Sequence, residues 1–167
     1  QEISGHVLLE RYGMTEIGMG LSNPLRGERR PGAVGQPLPG VELRLVSESG
    51  AVLEGEGEGG EIQVRGPGVF TEYWRLPEVT AGAFQDGWFR TGDQGVLDDE
   101  GYLTITGRLK EIINRGGEKI SPREVDEVLM DHPAVQQVVT FAVRHEKLGE
   151  EVAAALVLKE SPVFQVF

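Results

Sequence analysis

At 167 residues, with 39% hydrophobic and 26% charged residues, the chain suits one compact globular domain or parts of two. The 27 acidic residues outnumber 16 basic ones and leave a formal charge of −11, which argues against a nucleic-acid partner, because phosphate-backbone contact needs clustered Lys and Arg. Cysteine is absent, so disulfides, thiolate metal sites and thiol nucleophiles are excluded, and no apolar run approaches the roughly 20 residues of a membrane span.

In chain order, residues 7–12 (Val-Leu-Leu-Glu-Arg-Tyr) predict a short buried strand ending at Gly13. Residues 22–40, rich in Gly, Pro, Arg and Asn, predict an ordered loop, and the basic residues of 26–30 are expected to form local ion pairs. Alternation of apolar and polar residues over 41–46 and again over 61–65 predicts two half-buried strands paired as a long hairpin. Between them, residues 47–60 carry five Gly and four Glu and predict a surface turn. Pro77 and Glu78 open a helix expected to reach residue 84. Residues 96–105 predict a hairpin turning at Asp98-Asp-Glu-Gly101. Ser121 followed by Glu124 predicts a capping box on a helix over 122–130. The β-branched runs 135–143 and 152–158 predict two paired strands. His6, His132 and His145 have no metal-ligand spacing.

Three segments carry chemistry. In Arg-Tyr-Gly-Met-Thr-Glu at 11–16, Gly13 would let a ligand approach the backbone, Tyr12 could stack on a purine, Thr15 could meet a phosphate and Glu16 could hold Mg²⁺. A core Tyr followed by a polar loop is the alternative. In Trp-Phe-Arg-Thr-Gly-Asp at 88–93, Asp93 after a Gly turn could accept two hydrogen bonds from a ribose diol, and an Asx-type turn is the alternative. The third segment runs from Gly107 to Pro122. In it Arg108 follows a strand and could reach ribose or phosphate oxygens, Lys110 stands at a natural pivot, and Gly116-Gly117 allows a tight loop. A surface basic loop is the alternative there.

Taken together and in this order, the three segments resemble the adenylate-forming superfamily, which includes acyl-CoA synthetases, luciferases and peptide-synthetase adenylation domains. The loop Gly-Ala-Val-Gly-Gln-Pro-Leu-Pro-Gly at 32–40 is similar to theirs as well. Residues 10–16 and Ser22-Asn-Pro24 resemble malonyl-CoA synthetases, whereas residues 113–122 resemble oxalate and medium-chain acyl-CoA ligases. The resemblance implies an α+β fold. Residues 1–108 would be the barrel-like end of the large AMP-binding domain, with a strand of its parallel sheet, and 109–167 the truncated start of a small α+β lid domain. It also implies an ATP- and Mg²⁺-dependent enzyme that converts a carboxylic acid to an acyl-adenylate and passes the acyl group to coenzyme A. Tyr12 would stack on adenine, Thr15 would contact phosphate and Glu16 the metal. Asp93 and Arg108 would hold the ribose, Lys110 would be the hinge of the lid, and Gly116 and Gly117 would border the pantetheine channel.

The pattern also departs from the family. A Ser/Thr/Gly-rich phosphate loop is expected before this stretch and a catalytic lysine after it, and many relatives carry Lys where Gly116 stands. The chain does not begin with Met and is expected to be a C-terminal part of a longer enzyme, inactive alone. An amino-acid adenylation domain and a non-catalytic nucleotide-binding module are the rival readings. With no leader visible, the cytoplasm or an organelle interior is the expected compartment. The acid and the oligomeric state are not legible.

Overall fold

The computed structural model describes residues 5–55, 57–159 and 161–166; side chains are described through residue 159. The architecture is α+β, with antiparallel sheets and two short helices. It divides into two compact units, Gln1–Ile105 and Thr106–Phe167.

In the first unit, β1 (Arg11–Met14), β2 (Gly18–Ser22) and β3 (Gln36–Pro37) form a three-stranded sheet in that order. The strand expected over 7–12 therefore starts later and continues through Gly13. Val7 and Leu8 are 51% and 76% exposed, so their apolar character marks no buried strand here. A larger sheet holds β4 (Glu42–Val46), β5 (Val52–Leu53), β6 (Gly60–Arg65), β7 (Phe84–Gln85), β8 (Trp88–Leu97) and β9 (Leu103–Arg108). Its order is β5-β4-β6-β8-β7, with β9 also paired to β8. Among the described residues this sheet stays open, because β5 and β7 at its two ends do not pair.

The predicted hairpin is present: Glu42 faces Arg65 and Val46 faces Glu61 across β4 and β6. Helix α1 (Pro77–Ala83) starts on its proline and leads directly into β7. One apolar cluster draws on both sheets: Tyr12, Ile17 and Leu21 from the small one, and Leu45, Ile62, Val64, Phe89 and Leu103 from the large one. Each fully buried aliphatic or aromatic side chain of such a cluster contributes roughly 1.5–3 kcal/mol.

In the 22–40 loop one buried side chain ties distant parts of the loop together. Buried Asn23 donates to the Ala33 carbonyl (2.6 Å) and accepts from the Arg30 N–H (3.0 Å). Arg30 pairs with Asp98 and Glu100 and lies over the Tyr102 ring at 4.2 Å. Arg29 donates to the carbonyls of Val7, Pro24 and Leu25. The expected local ion pairs are thus replaced by long-range ones at Arg30 and by main-chain carbonyl contacts at Arg29.

In the second unit, a 3-10 turn (Leu109–Glu111) precedes β10 (Ile113–Arg115), β11 (Glu118–Ile120), α2 (Pro122–Met130), β12 (Val135–His145), β13 (Gly149–Leu158) and β14 (Ser161–Val166). The sheet order is β11-β10-β13-β12, with β14 on β13. Pro122, Val125, Asp126 and Leu129 form the half-buried stripe of α2, the spacing of one helix face, and α2 packs on β12. The capping box does not form. Ser121 is buried and turned to donate its hydroxyl to the Thr106 carbonyl (2.9 Å), and its side chain makes no bond to the helix N-terminus.

Candidate functional site

The first segment is the tip of a hairpin. Tyr12 and Gly13 lie in β1, Thr15 and Glu16 in the turn, and Ile17 N–H closes that turn on the Met14 carbonyl (3.2 Å). Gly13 is needed for the hairpin itself: a Cβ there would stand 2.3 Å from the Gly18 carbonyl oxygen, at the point where the β1–β2 register slips. Its missing side chain therefore makes room for β2, where the sequence had suggested room for a ligand. Ile17 plugs into the core directly behind the turn, leaving Thr15 exposed and Glu16 half-buried.

Glu16 is held from the loop before α1. Tyr73 donates its phenolic O–H to Glu16 Oε1 (3.0 Å), and Phe70 N–H donates to the Glu16 carbonyl (2.7 Å). The Tyr73 ring lies 4.6 Å from that of Phe70, which in turn packs on Phe84 and Phe89. Burial, and then the neighbouring Glu16 carboxylate, push the Tyr73 phenol above its ordinary value, so it stays a hydrogen-bond donor.

The second segment is a bulge inside β8 rather than a free turn. Glu61 faces Gln94 and Gln63 faces Arg90, so Thr91, Gly92 and Asp93 together oppose the single residue Ile62. Thr91 closes the gap by donating its hydroxyl to the Ile62 carbonyl (2.7 Å), while accepting from Asp93 N–H (3.1 Å). Gly92 supplies the left-handed φ of 73° that turns the chain. The bulge points Asp93 inward, where it is 5% exposed and accepts the Tyr12 O–H at 2.7 Å.

That bond joins two segments 81 residues apart. It was not foreseen: Tyr12 was expected to offer its ring to a purine, whereas in the folded chain it is 9% exposed and its phenol anchors Asp93. Tyr73 and Thr91 were missed as well. Tyr73 lies 57 residues from Glu16, and no local pattern links them. Thr91 could have been found from its place two residues before an Asp across a glycine, a spacing suited to a hydroxyl-closed turn.

The remaining predicted residues belong to the second unit. Arg108 ends β9 in extended conformation, exposed, and Lys110 is exposed in the 3-10 turn that follows. Gly116 and Gly117 form the two-residue loop between β10 and β11, with φ of 61° and 99°, as a type I′-like turn requires. Gly116 N–H donates to the Leu148 carbonyl (2.9 Å) and Gly117 N–H to Asn114 Oδ1 (2.9 Å). The structure thus brings Tyr12 and Asp93 into direct contact and puts Thr15 and Glu16 on the same hairpin. Arg108, Lys110 and the glycine pair fall in the first segments of the other unit.

Among the described residues no group of three His, Cys, Asp or Glu side chains could enclose a metal. Glu16 is the carboxylate carried by the hairpin tip. That fits Mg²⁺, which commonly keeps several waters and takes one or two carboxylates plus substrate phosphates.

Comparison with known proteins places this geometry. The model of the family described as AMP-binding enzyme matches residues 1–74, and that of the AMP-binding enzyme C-terminal domain matches residues 124–166. The mitochondrial malonate–CoA ligase of Bos taurus is 48% identical over 179 residues, covering 95% of this chain and 30% of the ligase. The oxalate–CoA ligase of Arabidopsis thaliana is 47% identical over 163 residues, covering 96% of this chain and 31% of the ligase. Among solved structures, ATP-bound MatB from Rhodopseudomonas palustris superposes with a TM-score of 0.89 at 44% identity, covering 95% of this chain and 32% of that one. The chain spans about a third of the length of the relatives it matches. With both family models met in order and relatives of nearly half identity across almost all of its residues, the chain belongs to the AMP-binding enzymes.

Proposed function

We propose that this chain supplies the nucleotide-handling part of an ATP-dependent acyl-CoA synthetase. In the overall reaction a carboxylate oxygen attacks the α-phosphorus of ATP, pyrophosphate leaves, and the thiol of coenzyme A then displaces AMP from the acyl-adenylate. The observation that carries the reading is the Tyr12–Asp93 bond, which ties a buried carboxylate to the strand that leads into the Thr15-Glu16 turn. A carboxylate held this way can accept from the two hydroxyls of a ribose without losing rotamer freedom on binding. The names of the relatives, malonate– and oxalate–CoA ligases, support the acid–thiol ligase class over amino-acid adenylation.

In this reading Thr15 meets a phosphate oxygen and Glu16 contacts Mg²⁺, which would neutralise phosphate charge when bound. Asp93 and Arg108 hold the ribose, and an adenine resting on the edge of Tyr12 would cover what solvent still reaches of that ring. Residues 1–108 act as the end of the large domain and 109–167 as the start of the lid, with Lys110 its pivot and the Gly116-Gly117 loop bordering the path of the CoA arm. The acid is a small carboxylic acid, with malonate and oxalate the first candidates.

The test is a transplant. This chain replaces the corresponding third of the bovine malonate–CoA ligase, and CoA thioester and pyrophosphate are measured with malonate and with oxalate. The reading expects ATP-dependent thioester from the chimera and loss of about 10² or more in rate on Asp93→Ala. A folded chimera that releases no pyrophosphate with either acid, beside an active bovine control, overturns it.

A further inference from the structure

Of the side chains around the hairpin tip, Tyr73 has no part in the function proposed above and yet touches the carboxylate proposed to meet Mg²⁺. We propose that Tyr73 is a positioning residue for the metal-binding carboxylate of Glu16; this rests on the reading of Glu16 as the Mg²⁺ contact.

Glu16 occupies a turn between two strands, where a side chain with three rotatable bonds would ordinarily sample many rotamers. Here it is fixed at both ends. Its main-chain carbonyl takes the Phe70 N–H, and its Oε1 takes the Tyr73 hydroxyl. Oε2 has no partner among the described residues, so one oxygen is held and the other is left for a ligand.

Tyr73 is itself held in two ways. Its ring packs at a tilt against Phe70, which belongs to the Phe70–Phe84–Phe89 aromatic group. Its N–H donates to Thr80 Oγ1 (3.0 Å), and Thr80 donates on to the Leu76 carbonyl at the head of α1 (2.9 Å). The carboxylate is therefore referenced, through one phenol, to a helix and to the aromatic part of the core.

The chemistry of the donor matters. A lysine or arginine in place of Tyr73 would fix Glu16 equally well, but its charge would compete with an incoming cation. A neutral phenol orients the carboxylate and leaves its full negative charge to the metal. Hydrogen-bond donors to metal-ligating groups act in this way, and their loss costs about 10- to 100-fold in metal affinity.

The experiment uses the 167-residue chain saturated with ATP and titrated with Mg²⁺, read by amide shifts at Thr15, Glu16 and Ile17. The variants are Tyr73→Phe, Glu16→Gln and the two combined. The proposal expects Tyr73→Phe to raise the Mg²⁺ concentration at half-effect about 10-fold or more, while ATP affinity without metal is unchanged. A general loosening of the fold would weaken both. In the Glu16→Gln background the Tyr73→Phe change should alter the metal response no further, which separates positioning from any effect on folding. If Glu16→Gln abolishes the metal response while Tyr73→Phe titrates like the unaltered chain, the positioning role is wrong and the function stands. If Glu16→Gln titrates like the unaltered chain, the reading of Glu16 as the metal contact falls, and this proposal with it.

Discussion

Replacing Tyr12 by Phe deletes one hydroxyl and leaves the ring that fills the core between the two sheets of the first unit. The deleted group is the donor to Asp93 at 2.7 Å, and both side chains are buried, at 9% and 5% exposure. Water has little access to replace it. A hydrogen bond to a charged acceptor contributes about 1.5–3 kcal/mol, and the acceptor left behind carries a desolvation cost. For a unit of this size each kcal/mol corresponds to roughly 4 °C or more in unfolding midpoint, so a loss near 2 kcal/mol predicts a fall of roughly 8 °C. The assay is urea and thermal unfolding followed by tryptophan fluorescence. Both tryptophans, Trp74 and Trp88, lie in the first unit, so the signal reports on the part that is altered. The urea midpoint should fall with an unchanged slope. Asp93→Asn should behave in the opposite way: its amide oxygen still accepts from Tyr12, so stability changes less, while AMP affinity drops more because one ribose acceptor has become a donor. A Tyr12→Phe variant within about 0.5 kcal/mol of the unaltered chain would refute the reasoning, since it would show that the bond adds nothing to the fold that carries the site.

Gly13→Ala should destabilise the first unit by about 1–3 kcal/mol, because the new methyl meets the Gly18 carbonyl oxygen at 2.3 Å and the hairpin must shift; urea unfolding checks this, and an unaltered midpoint contradicts it. Glu151→Gln should lower the stability of the second unit near neutral pH. Arg115, followed by the Val152 N–H, holds the Glu151 carboxyl below its ordinary value. A depressed carboxyl stabilises the fold above the unfolded value of about 4.3 and loses that contribution as pH falls through the lower folded value. Melting curves from pH 7 to pH 3 should therefore show the gap between variant and unaltered chain closing in the acid range. The gap should also shrink in high salt, since the pair is partly exposed.

What could be read in advance follows from the range of each interaction. The β4–β6 hairpin, α1 and the β12–β13 pair announce themselves through alternation and through proline at a helix start, all local signals. The strand expected over 7–12 starts four residues later, at Arg11, because Val7 and Leu8 are apolar but uncovered, and its pairing with β2 was not foreseen. Ser121 has the identity of an N-cap, yet a carbonyl fifteen residues away claims its hydroxyl. The residue types of the candidate site were legible, since Thr15, Glu16 and Asp93 fall in recognisable segments. Their supports were not: the Tyr12–Asp93 and Tyr73–Glu16 bonds span 81 and 57 residues, and no local periodicity encodes a contact of that range. The role of Gly13 was misjudged for a related reason. A glycine in sequence says that a Cβ is unwelcome, but only the register of β1 against β2 says which atom excludes it.

The Tyr12–Ile17 segment and the Thr91–Asp93 bulge are proposed together to receive an adenosine phosphate. Titrating isotopically labelled 167-residue chain with AMP and following every backbone amide tests it most directly. Saturable shifts are expected at residues 12–17 and 91–93, and their loss in Asp93→Ala. Shifts confined to other parts of the chain, or a response that Asp93→Ala leaves intact, would contradict it.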